Sequence, residues 1–276
     1  MRAPTRDRST SESEAFRLDS SEPPGSATSR HGCRGFCRDC GRDHALPEAG
    51  ARRYALEVMA EFQSLGRLDY QASEEHSNAR LAFGNLFPRG RGHMFGVLEC
   101  RDRSGETVFL RAFSSLHDGI REIEGWVPPL LSAEDFYGFV LPTQHVIREM
   151  TDELVGLAQG SAAYTTLIDE RKEISRDLLK AMQGLYRFRN FRGESRSLVE
   201  ALCEPLKVPG VVGECCAPKL LNQAVRESLR PVSIAEFYWG GASASGRLVS
   251  GEFYPSCQSR CQPILGFLLC GLDDAR

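Results

Sequence analysis

The 276 residues carry 34 Lys and Arg against 37 Asp and Glu, a formal charge of -3, with 41% hydrophobic and 26% charged side chains. That length builds one large domain or two small ones, and the balance of charge gives no global attraction to nucleic acid, so a polyanion site must be a local basic patch. No run of about eighteen apolar residues marks a membrane-spanning helix, and the N-terminus lacks the apolar core of a secretory signal. The expected compartment is therefore the reducing cytoplasm, where clustered thiols read as metal ligands rather than as a disulfide framework.

In chain order, residues 1–30 are rich in Ser, Arg, Glu and Pro and read as a disordered tail, since they cannot bury enough apolar surface to offset their ordering entropy. Residues 31–50 form a compact Cys/His knuckle, and residues 51–276 form one α/β domain. Leu56, Met59, Phe62 and Leu65, spaced by threes, predict a helix over 47–65. Two β-rich runs, 93–100 and 107–113, flank a polar turn with Gly105 and predict a hairpin. Gly125-Trp-Val-Pro-Pro-Leu-Leu131 reads as a packed loop because of its two prolines. Residues of about 145–190 read as a helical hairpin broken near Gly160. The stretch from Cys216 to Leu229 predicts a helix, 231–239 a strand, and 263–269 a last helix. The expected fold class is α/β (α+β): a mixed sheet with a deaminase-like C-terminal core, an inserted helical hairpin and a small N-terminal knuckle.

Cys37 and Cys40 are separated by two residues, the spacing at which a tight turn points two thiolates at one ion. Adding Cys33 and His44 gives the four ligands that tetrahedral zinc takes. All four fall in one short stretch, so a distant fourth ligand is an alternative. The Cys33-x3-Cys37-x2-Cys40 spacing also matches that of a radical-generating iron–sulfur cluster, although the chain lacks the strand–helix units that would follow it. Cys100, Cys203 and Cys270 lie alone on apolar stretches and read as small buried hydrophobes.

A second group is Cys215, Cys216, Cys257 and Cys261. Cys215 and Cys216 open one predicted helix and the other two open another, with a strand between. Unpaired N–H groups and the positive dipole end stabilise thiolates at helix starts. Two such starts beside a strand are the layout of zinc-dependent nucleobase deaminases. Those enzymes place a catalytic Glu two residues after the first ligand; here Pro218 or Ala217 stands there, and the second pair is spaced by three residues rather than two. Glu214 is the substitute proton shuttle, and a catalytic thiol pair, Cys215 with Cys257, is a further option.

Between residues 171 and 196 the sequence concentrates Arg and Lys, including Arg176, Lys180, Arg187, Arg189, Arg192 and Arg196, interleaved with Tyr186, Phe188 and Phe191. Arg with aromatics suits RNA, phosphates pairing with guanidinium and bases stacking on rings. The competing reading is a solvated helix face with the three aromatics in the core. His93, His117 and His145 stand alone; His117 beside Asp118 is an acid–base pair only if a cavity lies against it.

Several segments taken in order carry a family likeness. They are Met94-Phe-Gly-Val-Leu, Gly125-Trp-Val-Pro-Pro, Arg187-Phe-Arg-Asn-Phe-Arg-Gly-Glu194, Gly213-Glu-Cys-Cys-Ala-Pro-Lys-Leu-Leu221, Ala235-Glu-Phe-Tyr-Trp-Gly240 and Phe253-Tyr-Pro-Ser-Cys-Gln-Ser-Arg-Cys261. Together they resemble the N-terminal extension of long bacterial pseudouridine synthases of the RluA type, over roughly residues 33–272. The resemblance implies a stand-alone version of that extension, ending where the synthase domain would begin. Gly66-Arg-Leu-Asp69 copies half of the synthase signature but lacks its Thr-Ser-Gly-like turn, so Asp69 reads as a coincidence. The expected function is a non-catalytic, RNA-associated, zinc-binding module linked to RNA modification. The alternative is a zinc hydrolase of the nucleobase deaminase kind.

Overall fold

Six consecutive residues of strand β3 (His93–Arg101), Phe95 to Cys100, are buried, which requires cover on both faces of the sheet. The computed structural model describes residues 32–88, 92–114, 116–203, 212–243, 245–258 and 260–273; the expected tail lies outside the described residues. A hairpin, β1 (Cys33–Cys37) and β2 (Arg42–Leu46), precedes helix α1 (Ala49–Leu65), and β3 is followed by β4 (Thr107–Phe113). A short α2 (Ala133–Asp135) leads through a π turn at Phe136–Val140 into α3 (Leu141–Val155), and then comes α4 (Ala162–Leu185). The small pair β5 (Arg187–Arg189) and β6 (Ser195–Ser197) leads to α5 (Leu198–Ala201). Last come α6 (Cys216–Arg226), β7 (Arg230–Trp239), β8 (Phe253–Tyr254) and α7 (Gln262–Leu269). The class is α+β.

Alternation along β3 sorts its side chains between two cores. Phe95 and Val97 join Phe113, Phe237 and, on α1, Ala55, Val58 and Phe62. Leu98 and Cys100 join Leu220, Leu221 and Ala224 of α6 together with Ile264 and Leu268 of α7. The Phe62 ring lies edge-on to Phe83 and Phe95 at 4.7 and 5.0 Å, so cutting it to Ala removes about 3–5 kcal/mol. At Gly96 an added Cβ would meet the Cys216 Cβ at 2.6 Å, which is how α6 lies so close on β3. Helix α1 stops at Gly66, whose φ of 65° suits glycine and whose N–H closes on the Phe62 carbonyl.

The main sheet has the order β4-β3-β7-β8, and every pairing in it is antiparallel, so the expected mixed sheet is corrected. The crossover from β4 through the helices to β7 does bring two strands into the same direction. They land on opposite sides of β3 and never pair.

The helical hairpin breaks where Gly160 takes φ +80° and Ser161 caps α4, its Oγ accepting the Tyr164 N–H at 3.1 Å. The helix ends at Leu185, so Arg187, Arg189 and Arg196 lie on β5 and β6, not on the helix. The β1–β2 hairpin lies across α7 so closely that a Cβ on Gly35 would collide with the Gly266 backbone and one on Gly266 with the Phe36 backbone. That contact sets where the hairpin's cysteines point.

Candidate metal centres

The first centre is made by a turn, a strand and a helix end. Cys37 closes β1, and the turn through Cys40 is completed by Gly41 at φ +68°, its N–H on the Cys37 carbonyl at 2.9 Å. His44 follows on β2. The fourth group is Cys270, at the C-cap of α7. One ligand atom from each of these four residues lies within 4.8 Å of all the others, a set that can hold a metal ion. His44 is buried, its Nε2 is 3.1 Å from the Cys40 sulfur, and its Nδ1 is 3.4 Å from the Asp273 carboxylate. A carboxylate on the far nitrogen of a ligating imidazole fixes its tautomer and direction.

The electrostatics fit such an ion. Burial opposes charge on Cys40, but hydrogen bonds from His44, the Arg42 backbone, Cys37 and Cys270 outweigh it and lower its pKa to about 7. Cys270 is pushed up to about 12, first by burial and then by its hydrogen bonds to Cys37 and Cys40. The raised Cys270 thiol must give up its proton to ligate, and a divalent cation is the charge that would let it ionise.

Cys33, expected in this set, lies outside it. β1 is extended, so four residues carry the chain about 13 Å from Cys33 to Cys37. Cys33 is instead fully buried in the core on the α7 side, where burial, ahead of the nearby Glu236 charge, pushes its thiol far up. Cys270 takes the place expected of Cys33 and corrects its reading as a plain hydrophobe. No local motif announced it; the Cys-x-Gly-x-Cys alternation of β1 is the signal that could have removed Cys33.

The second centre joins Cys215, Cys257 and Cys261, whose sulfurs also lie within 4.8 Å of one another. Cys215 is the N-cap of α6 and Cys261 that of α7. The Cys257 carbonyl accepts the N–H groups of both Cys261 and Gln262, at 3.1 and 3.0 Å, and this tight turn folds Cys257 back beside Cys261. Hydrogen bonding to Cys257, more than burial, carries the Cys215 thiol up to about 12, although a hydrogen bond from Cys261 opposes it. Cys216 is not part of this centre. One residue into the helix its side chain turns to the sheet, where Sγ meets the Met94 carbonyl at 3.3 Å under complete burial.

A cavity of about 580 Å³ opens on the second centre and is lined by Glu214, Cys215, Glu236, Tyr254, Cys257 and Arg260 among others. Ala217 and Pro218 are buried in α6, so the helix itself brings no carboxylate to the sulfurs. Glu214 Oε1 accepts hydrogen bonds from the Leu131 N–H and the Tyr186 hydroxyl, both at 3.2 Å. Glu236, which no sequence motif singles out, is buried on β7 with Oε1 accepting the Ser256 hydroxyl at 2.5 Å. Burial raises its pKa to about 7 against the opposing Ser256 hydrogen bond.

The basic segment divides. Arg176, Lys180, Arg187, Arg189 and Arg192 are exposed, whereas Arg196 is half-buried, paired with Asp39 at 2.8 Å beside the first centre. Tyr186 and Phe188 are 2% and 0% exposed and stack on each other, so they are core residues and no surface for bases. His117 is buried with Nε2 on the Ala82 carbonyl, and Asp118 pairs with Arg80, so they form no acid–base pair. No membrane-length apolar helix occurs among the described residues. Compared with protein-family models, curated proteins and solved structures, the chain finds no match.

Proposed function

We propose that the chain binds two zinc ions, one structural and one hydrolytic. Cys37, Cys40, His44 and Cys270 form a closed shell of thiolate and imidazole, the donors zinc prefers, and tie the N-terminal hairpin to α7. Cys215, Cys257 and Cys261 offer three thiolates, with no fourth ligand group beside them among the described residues, the number of protein ligands that catalytic zinc sites use. The observation that carries the reading is that Cys215 and Cys257 line a cavity large enough for a nucleoside, with the buried Cys261 sulfur within 4.8 Å of both of theirs. Bound there, zinc would act as a Lewis acid.

The chain's own groups do the rest. The helix N-termini stabilise the thiolates, Tyr254 offers a ring to a flat substrate, and Arg260 stands exposed at the cavity rim. The reading is hydrolysis at a ring carbon of a nucleobase, as in the deaminases that hold zinc between two helix starts.

Metal analysis of the purified chain tests it. Two zinc equivalents are expected, one lost in Cys40→Ser and the other in Cys257→Ser, and none in the wild type overturns the reading. Ammonia release from a panel of bases, nucleosides and nucleotides, abolished in Cys257→Ser, is expected; its absence across the panel removes the hydrolytic half.

A second reading, association with RNA in keeping with the resemblance to the pseudouridine synthase extension, is favoured by the exposed cluster of Arg176, Lys180, Arg187, Arg189 and Arg192. Binding to structured RNA that weakens as salt rises is its expected signature, and none near physiological ionic strength removes it.

A further inference from the structure

Glu236 is an acid in an unusual place. It stands on β7 between Gly96 of β3 and Tyr254 of β8, on the sheet face that carries α6 and α7. Gly96 has no side chain, so the space beside Glu236 is left to the carboxylate and to the start of α6. The residue is 4% exposed, and among the described residues it has no ion-pair partner; its hydrogen bond comes from Ser256, which anchors Oε1. Oε2 accepts no hydrogen bond among the described residues, yet Glu236 lines the same cavity as Cys215 and Cys257. A buried carboxylate without a cation is costly, and such groups gather where chemistry needs them.

Its oxygens are also not part of the set of ligand atoms lying within 4.8 Å of one another, so it does not sit as a fourth ligand. Glu214, the other carboxylate on the cavity wall, has Oε1 occupied by the Leu131 N–H and the Tyr186 hydroxyl, which tie it to the loop before α2 and to the end of α4. Its role is to hold the start of α6.

We infer that Glu236, delivered by the central sheet and held by Ser256, is the proton carrier of this cavity in the hydrolysis of a carbon–nitrogen bond of a small planar substrate. The inference rests on the open-site reading above. As a water oxygen bonds to the substrate carbon, Glu236 takes one of its protons. As the carbon–nitrogen bond breaks, that proton passes to the departing nitrogen and the carboxylate is restored. The products are the hydroxylated carbon and the amine, with no redox change.

The test uses the full chain loaded with cobalt, whose visible bands report the ligands around it. The wild type is expected to take two equivalents and to show one band change between about pH 6 and pH 9 from the open site. Glu236→Gln keeps the shape and the Ser256 hydrogen bond. It is expected to keep both cobalt ions and to move the midpoint of that change by more than one pH unit. An unmoved midpoint overturns the inference, as does loss of the second cobalt ion, which would make Glu236 a ligand. A shift seen in Glu214→Gln but not in Glu236→Gln assigns the role to Glu214 and overturns it equally. If Glu236→Gln does not fold, Ser256→Ala frees the same carboxylate, and a midpoint equal to wild type overturns the inference. Bands that never change with pH overturn the open site itself, and this assignment with it.

Discussion

Cys261 and Cys270 stand at the two ends of α7, each in a different group of side chains that could hold a metal ion. The helix between them, Gln262–Leu269, spans roughly 12 Å at ~1.5 Å per residue, and it is pinned at Gly266 to the hairpin that carries Cys37, Cys40 and His44. One short buried helix thus fixes a ligand in both clusters. Placing α7 wrongly costs both.

The first expectation follows from that strut. Replacing Cys40 with Ser empties the first centre and loosens the C-terminal end of α7, so the zinc affinity of the second centre falls although none of its ligands has changed. A drop of about tenfold is expected, within the usual range of coupling between sites, measured by competition with a coloured chelator. An unchanged affinity would show the two centres to be independent.

The Gly35–Gly266 crossing gives a second expectation. A Cβ at position 266 would collide with the Phe36 carbonyl, and one at position 35 with the Gly266 backbone. Backbone cannot yield as a side-chain tip does, so Gly266→Ala is expected to destabilise the chain by about 1–3 kcal/mol. It should also weaken zinc binding at the hairpin. Urea unfolding and metal titration on the same variant check both.

Asp273 provides a third. It is exposed, and its contact with His44 Nδ1 orients the imidazole. Asp273→Asn should lower zinc affinity at the first centre by about 10–100-fold without changing the number of ions bound. Loss of the ion altogether would mean that Asp273 does more than orient the ring.

The pH dependence of binding has a definite sign. Hydrogen bonding to Cys257 and then burial hold the Cys215 thiol at about 12, and burial with the Cys37 and Cys40 contacts holds Cys270 at the same level. Each must lose its proton when an ion binds, so protons compete with metal and affinity falls as pH falls. Calorimetry in buffers of different ionisation enthalpy should show protons released at both centres. Apparent affinity at pH 6 should be well below that at pH 8, and equal values would argue that the sulfurs are not the ligands.

Much of the architecture is legible in local pattern. The triplet spacing of Met59 and Phe62 marks α1, although the turns at Ala51, Ala55 and Val58 carry more of its buried face than Leu65, which is exposed. The strands 93–101 and 107–113, the break at Gly160 and the helix starts at Cys215 and Cys261 all follow from residue types a few positions apart. Chemistry is legible to the same depth: Cys37-x2-Cys40 with His44, and thiols at two helix starts, mark groups able to hold a metal ion before any fold is known.

Partnership is a different matter. By itself the sequence determined which residues are ligand types and which elements carry them. Only the tertiary structure decided that Cys270 replaces Cys33, that Cys216 faces the sheet, and that Glu236 rather than a helix residue meets the second cavity. The reason is geometric. An extended strand separates Cys33 from Cys37, one residue of helix rotation turns Cys216 away from Cys215, and a glycine-on-glycine crossing brings the end of α7 to a hairpin more than two hundred residues earlier in the chain. None of these leaves a periodic trace in the sequence, because each is a meeting of surfaces rather than a property of neighbours.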